Sequence, residues 1–365
     1  MPLISEEPNG WRRFGAATIL SRQPLILYTS IASNMPLGIG SLFSKRFGPY
    51  PATFLITPSW TIERKERAHE IHRAAELERR LSPSSEFIFF CNTVGEKELL
   101  ISLGEKAHFI NHNAAISEEF FKPVKEAPLE YHAVYNARFD AFKRHELARK
   151  IPSVAYIGYA VSSANHDYVR NRIVELVSQA GHVILNDLRE GVPIWMSPEQ
   201  VNDAYSKASV GLCLSALEGA MLSSMEYMLA GLPIVSTPSK GGRDVFFSED
   251  HCLIVQPDEH AVAIAVEDLV QRGISRDDVR DRALAAIGPH RTRFLNVLNE
   301  ILARNGSRER FGPEWPFHAR RRLLRWEQLE NLVPELSAIV AGLSADADAV
   351  PLSQGTHNHR PGGSD

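Results

Sequence analysis

Two glutamates eight residues apart are the residues in this sequence most suited to chemistry. Glu218 lies in the step Glu218-Gly219, just after the apolar run VGLCLS, and Glu226 lies in the helical pattern that follows. If a helix starts just after Glu218, the helical rise places the two side chains roughly 12 Å apart and about 80° apart around the axis. Both carboxylates could then line one elongated groove and accept hydrogen bonds from hydroxyl groups.

A strand, a turn, a helix and a second strand position these glutamates. The helical pattern breaks at Gly231, a second apolar run begins at Pro233, and the glycine pair Gly241-Gly242 ends the unit. This order predicts a βαβ motif. In open parallel sheets, ligands bind at the carboxyl ends of the strands, where the turn with the first glutamate lies.

The start of this helix is suited to a phosphate because its free N–H groups and its dipole both favour an anion. A diphosphate over the helix start would lie between the two glutamates, with Glu226 near a ribose diol and Glu218 near the hydroxyls of an attached sugar. The residues at the helix start are Gly219, Ala220, Met221 and Leu222. A simpler interpretation stays open, in which both glutamates are solvated side chains at a helix end.

The ordered set of motifs resembles the donor-site signature of family-4 retaining glycosyltransferases of the GT-B fold. The matching parts are Glu218-Gly219, Glu226, the run AGLPIVST at 230–237 and the glycine pair 241–242. The sequence departs from the pattern at Arg243-Asp244, where many members carry a glutamate. The resemblance implies an α/β fold with two Rossmann-like domains, whose parallel sheets face across a cleft, and C-terminal helices that cross back.

The resemblance also points to a pair of basic residues, Arg138 and Lys143, on the donor diphosphate. Ala137 stands where glycine is usual in that motif. Two cations beside a diphosphate neutralise the negative charge that grows as the sugar–phosphate bond breaks. The alternative is a surface pair near Asp140 and Glu146.

A glycine-containing turn, LGIGSLF at 37–43, lies earlier in the chain. It is not a dinucleotide fingerprint because Phe43 occupies the place of the third glycine. In many relatives such a loop brings backbone close to the donor phosphates, which makes Gly38 and Gly40 candidates for donor binding. The other interpretation is an ordinary strand-to-helix turn.

No metal ion or cofactor is expected beyond the nucleotide sugar as substrate. No D-x-D motif follows a predicted strand, and Asp346 and Asp348 lie in a tail predicted to be disordered. His108 and His112 are interpreted as loop histidines rather than as acid or base catalysts.

The composition is typical of a globular protein with room for two domains, since the chain has 365 residues and 44% hydrophobic residues. A net charge of −4 argues against binding to nucleic acid. The three cysteines have no metal-ligand spacing, and neither a spanning helix nor a secretory signal is expected. The expected location is the cytoplasm, either free or at the inner face of the membrane.

Four segments are predicted from the pattern of strands and helices. They are a short acceptor-side Rossmann-like domain (1–127), a nucleotide-sugar domain (128–305), a helical segment that packs back (306–343) and a disordered tail (344–365). In the second domain, helices are predicted at 142–150, 167–180, 198–208, 220–230 and 259–272, followed by two more at 275–287 and 292–304. The basic and aromatic stretch 311–333 is predicted to be a helix, which either packs on the protein or makes a weak peripheral contact with a membrane.

The predicted activity is metal-independent transfer of a sugar from a nucleotide sugar to an acceptor hydroxyl with retention. The acceptor could be a glycan, a lipid-linked molecule or a small molecule, and no oligomeric state is predicted. Two alternatives stay open: an epimerase or hydrolase of nucleotide sugars, and a catalytically degenerate protein that binds them.

Overall fold

A computed structural model describes residues 13–31, 35–124, 127–160, 163–179, 181–189, 191–324 and 326–342. In these residues the chain forms two six-stranded sheets and one short hairpin. The strands are β1 (Arg13–Arg22), β2 (Leu25–Ile31), β3 (Thr53–Pro58), β4 (Glu86–Cys91), β5 (Lys106–Phe109), β6 (Tyr131–Asn136), β7 (Val154–Ile157), β8 (His182–Ile184), β9 (Leu188–Arg189), β10 (Val192–Pro193), β11 (Ala208–Cys213), β12 (Ile234–Ser236), β13 (Cys252–Ile254) and β14 (Trp326–Gln328).

Most of the connections between strands are helical. The α-helices are α1 (Gly40–Phe47), α2 (Lys65–Leu81), α3 (Val94–Ser102), α4 (Ser163–Tyr168), α5 (Val174–Val177), α6 (Pro198–Ser206), α7 (Leu222–Leu229), α8 (Glu259–Arg272), α9 (Arg276–Arg304) and α10 (Leu329–Val340). A π-helical turn, Val169–Ile173, joins α4 to α5.

The second sheet has the strand order β13-β12-β11-β6-β7-β8, and all of its neighbouring strands are parallel. Its order reverses beside β6 and β11, the kind of position where ligands bind in open parallel sheets. The α/β architecture expected for this part of the chain is confirmed.

The first sheet is parallel only in part. Strands β2 to β5 are parallel, whereas β1 pairs antiparallel with both β2 and β14. Neither β1 nor β14 is among the strands predicted from the sequence. The C-terminal part of the chain crosses back, as the resemblance implied, and it supplies an edge strand to this sheet as well as a helix.

The helix predicted over 311–333 is wrong for most of its length, because helical structure begins only at Leu329. Pro313 and Pro316 interrupt the stretch, and proline lacks the N–H that a helix interior needs. The side chains of Trp315, Phe317 and Leu323 are buried in a core with β2 and β4. These side chains are therefore not available to a membrane.

The two helices predicted at 275–287 and 292–304 are one helix, α9, with Pro289 inside it. Its first half packs in the core of the second sheet and its second half in a core of the first sheet.

The helix predicted at 142–150 is also wrong. Two 3₁₀ turns, Ala141–Lys143 and His145–Ala148, replace it because Arg144 between them adopts a left-handed conformation with φ of 55°.

No helix within the described ranges is long and apolar enough to cross a bilayer.

Candidate functional site

The carboxyl ends of the two sheets face each other and are joined by backbone and asparagine contacts. After β4 and β5, Asn92 and Asn111 lie against Gly242, whose carbonyl accepts a hydrogen bond of 2.7 Å from the Asn111 amide. The Asn113 amide donates to the carbonyl of Ala220 at the start of α7. The loops after β4 and β5 therefore hold the turn that follows Glu218.

Glu218 and Lys143 form a buried ion pair at this junction. Glu218 is 4% exposed and Lys143 is 8% exposed, and the Lys143 ammonium donates to Oε1 of Glu218. The Ser215 hydroxyl donates to the same oxygen, and the Glu218 N–H donates to the Lys240 carbonyl over 3.0 Å. The structure thus brings together two predicted residues that lie 75 positions apart.

Arg138 lies beside this pair on the surface of an aromatic ring. Its guanidinium is 5.0 Å from the centre of the Phe142 ring, and the Lys143 ammonium is 4.8 Å from the same centre. One guanidinium nitrogen of Arg138 is 3.2 Å from the Asp140 carboxylate. The exposed Trp60, from the first sheet's side, meets Phe142 edge to face. The two cations of the predicted pair therefore both contact the ring of Phe142.

Arg243, to which the sequence analysis assigned no role, bridges the ends of β11 and β12 near Glu218. The fully buried guanidinium donates to the carbonyls of Cys213 (3.1 Å), Ser215 (2.7 Å) and Thr237 (2.5 Å). It also donates to Asp244 over 2.6 Å. Burial alone would lower the pKa of Arg243, but Asp244 raises it. The guanidinium therefore stays charged and holds the ends of β11 and β12 together.

Glu226 lies one turn inside α7 and is fully buried. Its Oε2 accepts from the Tyr205 hydroxyl over 3.0 Å, and its Oε1 accepts from Arg321 over 3.1 Å and from Arg322 over 2.6 Å. Burial alone would raise the pKa of Glu226, but Arg322 and Arg321 hold it below its usual range. Both arginines were missed by the sequence analysis.

The helix start differs from the prediction because α7 begins at Leu222, four residues after Glu218. Gly219 and Ala220 precede it in irregular backbone, and Met221 has a φ of 33°, a conformation that non-glycine residues rarely adopt. Strain of this kind is often found at functional sites. The three residues are fixed from the other sheet, because Asn113 holds Ala220 and Gly219 lies against Ser59.

Gly38 and Gly40 are explained by packing within the first domain. A Cβ on Gly38, whose φ is 55°, would lie 2.6 Å from the Ser30 carbonyl oxygen. A Cβ on Gly40 would lie 3.0 Å from the Phe87 ring. Their proposed contact with donor phosphates stays a prediction.

His112 lies in the loop after β5, close to the C-terminal arginines. Burial lowers its pKa to about 4, so the ring is neutral near pH 7. Within the described part of the chain, its buried Nδ1 has no hydrogen-bond partner. In those same residues, no group of three or more histidine, cysteine, aspartate or glutamate side chains is placed to hold a metal ion.

We expect Gly219→Ala to loosen the contact between the two sheets. The added Cβ would lie 2.5 Å from the Ser59 carbonyl oxygen and 2.8 Å from its carbonyl carbon, and backbone cannot rotate away. Overpacking of this kind costs about 1–3 kcal/mol of unfolding free energy, which denaturant titration would measure. Gly312→Ala is the control because no atom lies within 4 Å of its Cβ position. Equal unfolding free energies for the two variants would contradict the expectation.

Comparison with known proteins covers the second domain most directly. Residues 162–272 match the family described as glycosyl transferases group 1. This segment contains Glu218 and Glu226, and the match confirms the resemblance there. No curated protein matches the sequence of this chain.

Solved structures confirm the GT-B fold for most of the chain. HepE from Anabaena, solved in complex with UDP, has a TM-score of 0.55 at 12% identity over 76% of this chain and 78% of its own. Sucrose-phosphate synthase from Thermosynechococcus elongatus has a TM-score of 0.53 at 17% identity, covering 69% of this chain and 68% of its own. The N-terminal domain of a Candida albicans trehalose-6-phosphate phosphatase has a TM-score of 0.52 at 11% identity over 76% and 71% of the two chains. At these identities the likeness concerns the GT-B fold alone.

Proposed function

We propose that this protein transfers a sugar from a nucleotide-sugar donor to an acceptor hydroxyl and retains the anomeric configuration. The observation that carries the proposal is the buried pair of Lys143 with Glu218 where the carboxyl ends of the two sheets meet. Desolvation of both charges is costly, and this pair lies at the strand ends, where open parallel sheets bind their ligands. The match of residues 162–272 to group 1 glycosyltransferases supports the same reaction class.

In this proposal, cations of the protein stabilise the departing diphosphate. Arg138 can bind a phosphate with two N–H groups, and Lys143 acts as a point charge. Both cationic groups contact the ring of Phe142, so they can bind the same leaving group. They would oppose the charge that develops as the bond between the anomeric carbon and the phosphate oxygen breaks. The reaction would then need no metal ion.

The glutamates would orient the donor. Glu218 would accept hydrogen bonds from hydroxyls of the transferred sugar, while Lys143 is shared between it and the phosphate. The acceptor hydroxyl would attack the anomeric carbon from the face that the diphosphate leaves, and a departing phosphate oxygen would take its proton. Glu226 would accept hydrogen bonds from the ribose diol at the other end of the site.

A UDP-sugar is the first donor to test. HepE has been solved with UDP and with UDP-glucose, and the pneumococcal O-GlcNAc transferase GtfA has been solved with UDP and GlcNAc. The acceptor would bind on the side of the first sheet, where Trp60 is 41% exposed. A glycan, a lipid-linked molecule and a small molecule are all acceptor classes to include.

The deciding experiment incubates the protein with UDP-, GDP- and ADP-sugars, with and without a mixture of acceptors. We expect one donor to raise the melting temperature, since a ligand at 100 times its Kd stabilises by about 2.7 kcal/mol. We also expect release of nucleoside diphosphate that depends on acceptor and is lost in Glu218→Gln. Acceptor-independent release of free sugar or epimer would instead show a hydrolase or epimerase. Thermal stabilisation without turnover in any mixture would show a binding protein.

A further inference from the structure

Glu226 is closed off from any donor by the C-terminal segment of the chain, and the inference from this rests on the proposed function. The Glu226 carboxylate has no exposed surface, and three hydrogen bonds occupy its two oxygens. An ionised carboxylate has about four acceptor positions. A ribose diol can therefore use Glu226 only if at least one of the arginine side chains turns away.

The backbone that carries these arginines is fixed. The Ser117 N–H donates to the Arg321 carbonyl over 3.0 Å, and the Thr18 hydroxyl donates to the Leu323 carbonyl over 2.6 Å. Leu323 itself is 1% exposed and packs in the core of the first sheet. Displacing the whole segment would expose this core, so a change at Glu226 is restricted to the arginine side chains.

Both arginine side chains have capacity for another anion. They are 23% and 30% exposed, so each has part of its surface in solvent. In the described residues, the buried Nε–H groups of Arg321, Arg322 and Arg138 lack hydrogen-bond partners. A buried N–H without a partner is costly, and a phosphate oxygen would satisfy it.

The charges around the site also favour an anion. Four cations, Arg138, Lys143, Arg321 and Arg322, face three carboxylates, Asp140, Glu218 and Glu226. These seven groups carry an excess of one positive charge, which the exposed Glu199 near Arg321 offsets only weakly because solvent screens it. A nucleoside carries no charge and would leave this excess uncompensated, whereas the phosphates of a nucleotide compensate it.

We propose that Arg321 and Arg322 are diphosphate-binding residues that exchange partners when the donor binds. In the unliganded protein they neutralise Glu226. On donor binding, their guanidinium groups turn to the diphosphate, and the ribose hydroxyls take their place on Oε1 of Glu226. The diphosphate and the ribose are thereby recognised together, and Glu226 positions the arginines until the donor arrives.

Titration of UDP, GDP and ADP, of their monophosphates and of the nucleosides tests the exchange. For the diphosphate that the wild-type protein binds, we expect Arg321→Gln with Arg322→Gln to weaken affinity roughly 10- to 100-fold, the range for lost hydrogen bonds to a charged group. Affinity for the corresponding nucleoside should not fall, because Glu226 is then open to the ribose. A general disruption of the fold would weaken both.

Arg322→Lys is a second variant in case the double variant fails to fold. It keeps a cation beside Glu226 but lacks the planar guanidinium that can donate two hydrogen bonds to a phosphate. It should bind the diphosphate more weakly than wild type at an unchanged melting temperature. Arg308→Gln, an exposed position on the same segment, is the matched control. Suppose both arginine variants bind the diphosphate as tightly as Arg308→Gln does, while Lys143→Ala binds it more weakly. The exchange is then wrong and the proposed function stands. If the wild-type protein binds none of the three diphosphates, both are wrong.

Discussion

Lys143→Ala is expected to lower kcat by about 10²- to 10³-fold, the range seen when one preorganised group that stabilises transition-state charge is removed. Lys143 is 8% exposed and its ammonium donates to Glu218, and the Tyr135 hydroxyl fixes its backbone by donating to the Lys143 carbonyl over 2.5 Å. Steady-state kinetics with the donor identified by thermal shift would measure the loss. The donor KM should change less than kcat, because the developing charge exists mainly in the transition state.

A matched control for this variant is Lys207→Ala. Lys207 also lies in the second domain and pairs with Asp203, but its side chain is 33% exposed. The control should keep the wild-type kcat. Adding Glu218→Gln to Lys143→Ala should cost little more, since residues that act as a unit are strongly non-additive. A wild-type kcat in Lys143→Ala would rule out the assignment of this residue to the leaving group.

Arg243→Ala is expected to destabilise the protein by about 2–5 kcal/mol, the range for truncating a large buried side chain, because it leaves a cavity and removes the hydrogen bonds of a fully buried guanidinium. The carbonyls of Cys213, Ser215 and Thr237 would each lose the guanidinium as a donor, although Cys213 and Thr237 still accept from the Ser236 hydroxyl. Denaturant unfolding followed by circular dichroism would report the change. Arg243→Lys should recover only part of it, since an ammonium cannot reach all of these acceptors in the geometry of a guanidinium.

Arg272→Ala provides the comparison for Arg243→Ala. Its pair with Asp268 lies on the surface, with side chains 42% and 45% exposed, and such pairs contribute about 0–1 kcal/mol. A loss of similar size in the two alanine variants would show that Arg243 does not hold the strand ends together.

The local pattern of the second domain was sufficient to predict its parallel sheet. The apolar runs at β11 and β12 are each buried, and the glycine stop at Gly231 has a φ of 81° that suits glycine. Such patterns arise because strands of a parallel sheet are buried on both faces. The pairing of Lys143 with Glu218 was not visible in spacing, but the resemblance assigned both residues to one site.

Contacts between distant parts of the chain were not predictable in the same way. Arg321 and Arg322 lie in the run ARRRLLR, which is equally typical of a solvated basic stretch. They bind Glu226, from which they are 95 and 96 residues apart in the sequence. Arg243 follows a glycine pair and precedes Asp244, and full burial is exceptional for an arginine in such a stretch. Strand β14 was not predicted because its partner β1 lies at the opposite end of the described chain.

The position of β14 and α10 has a consequence for how the protein is made. Domains of most proteins fold in order as the chain leaves the ribosome, the N-terminal one first. Here β14 covers the outer edge of β1, and Leu332 and Leu336 of α10 are buried in the first sheet's core. The N-terminal sheet therefore stays incomplete during translation until residues 326–340 have emerged, although its other strands are the earliest to be synthesised.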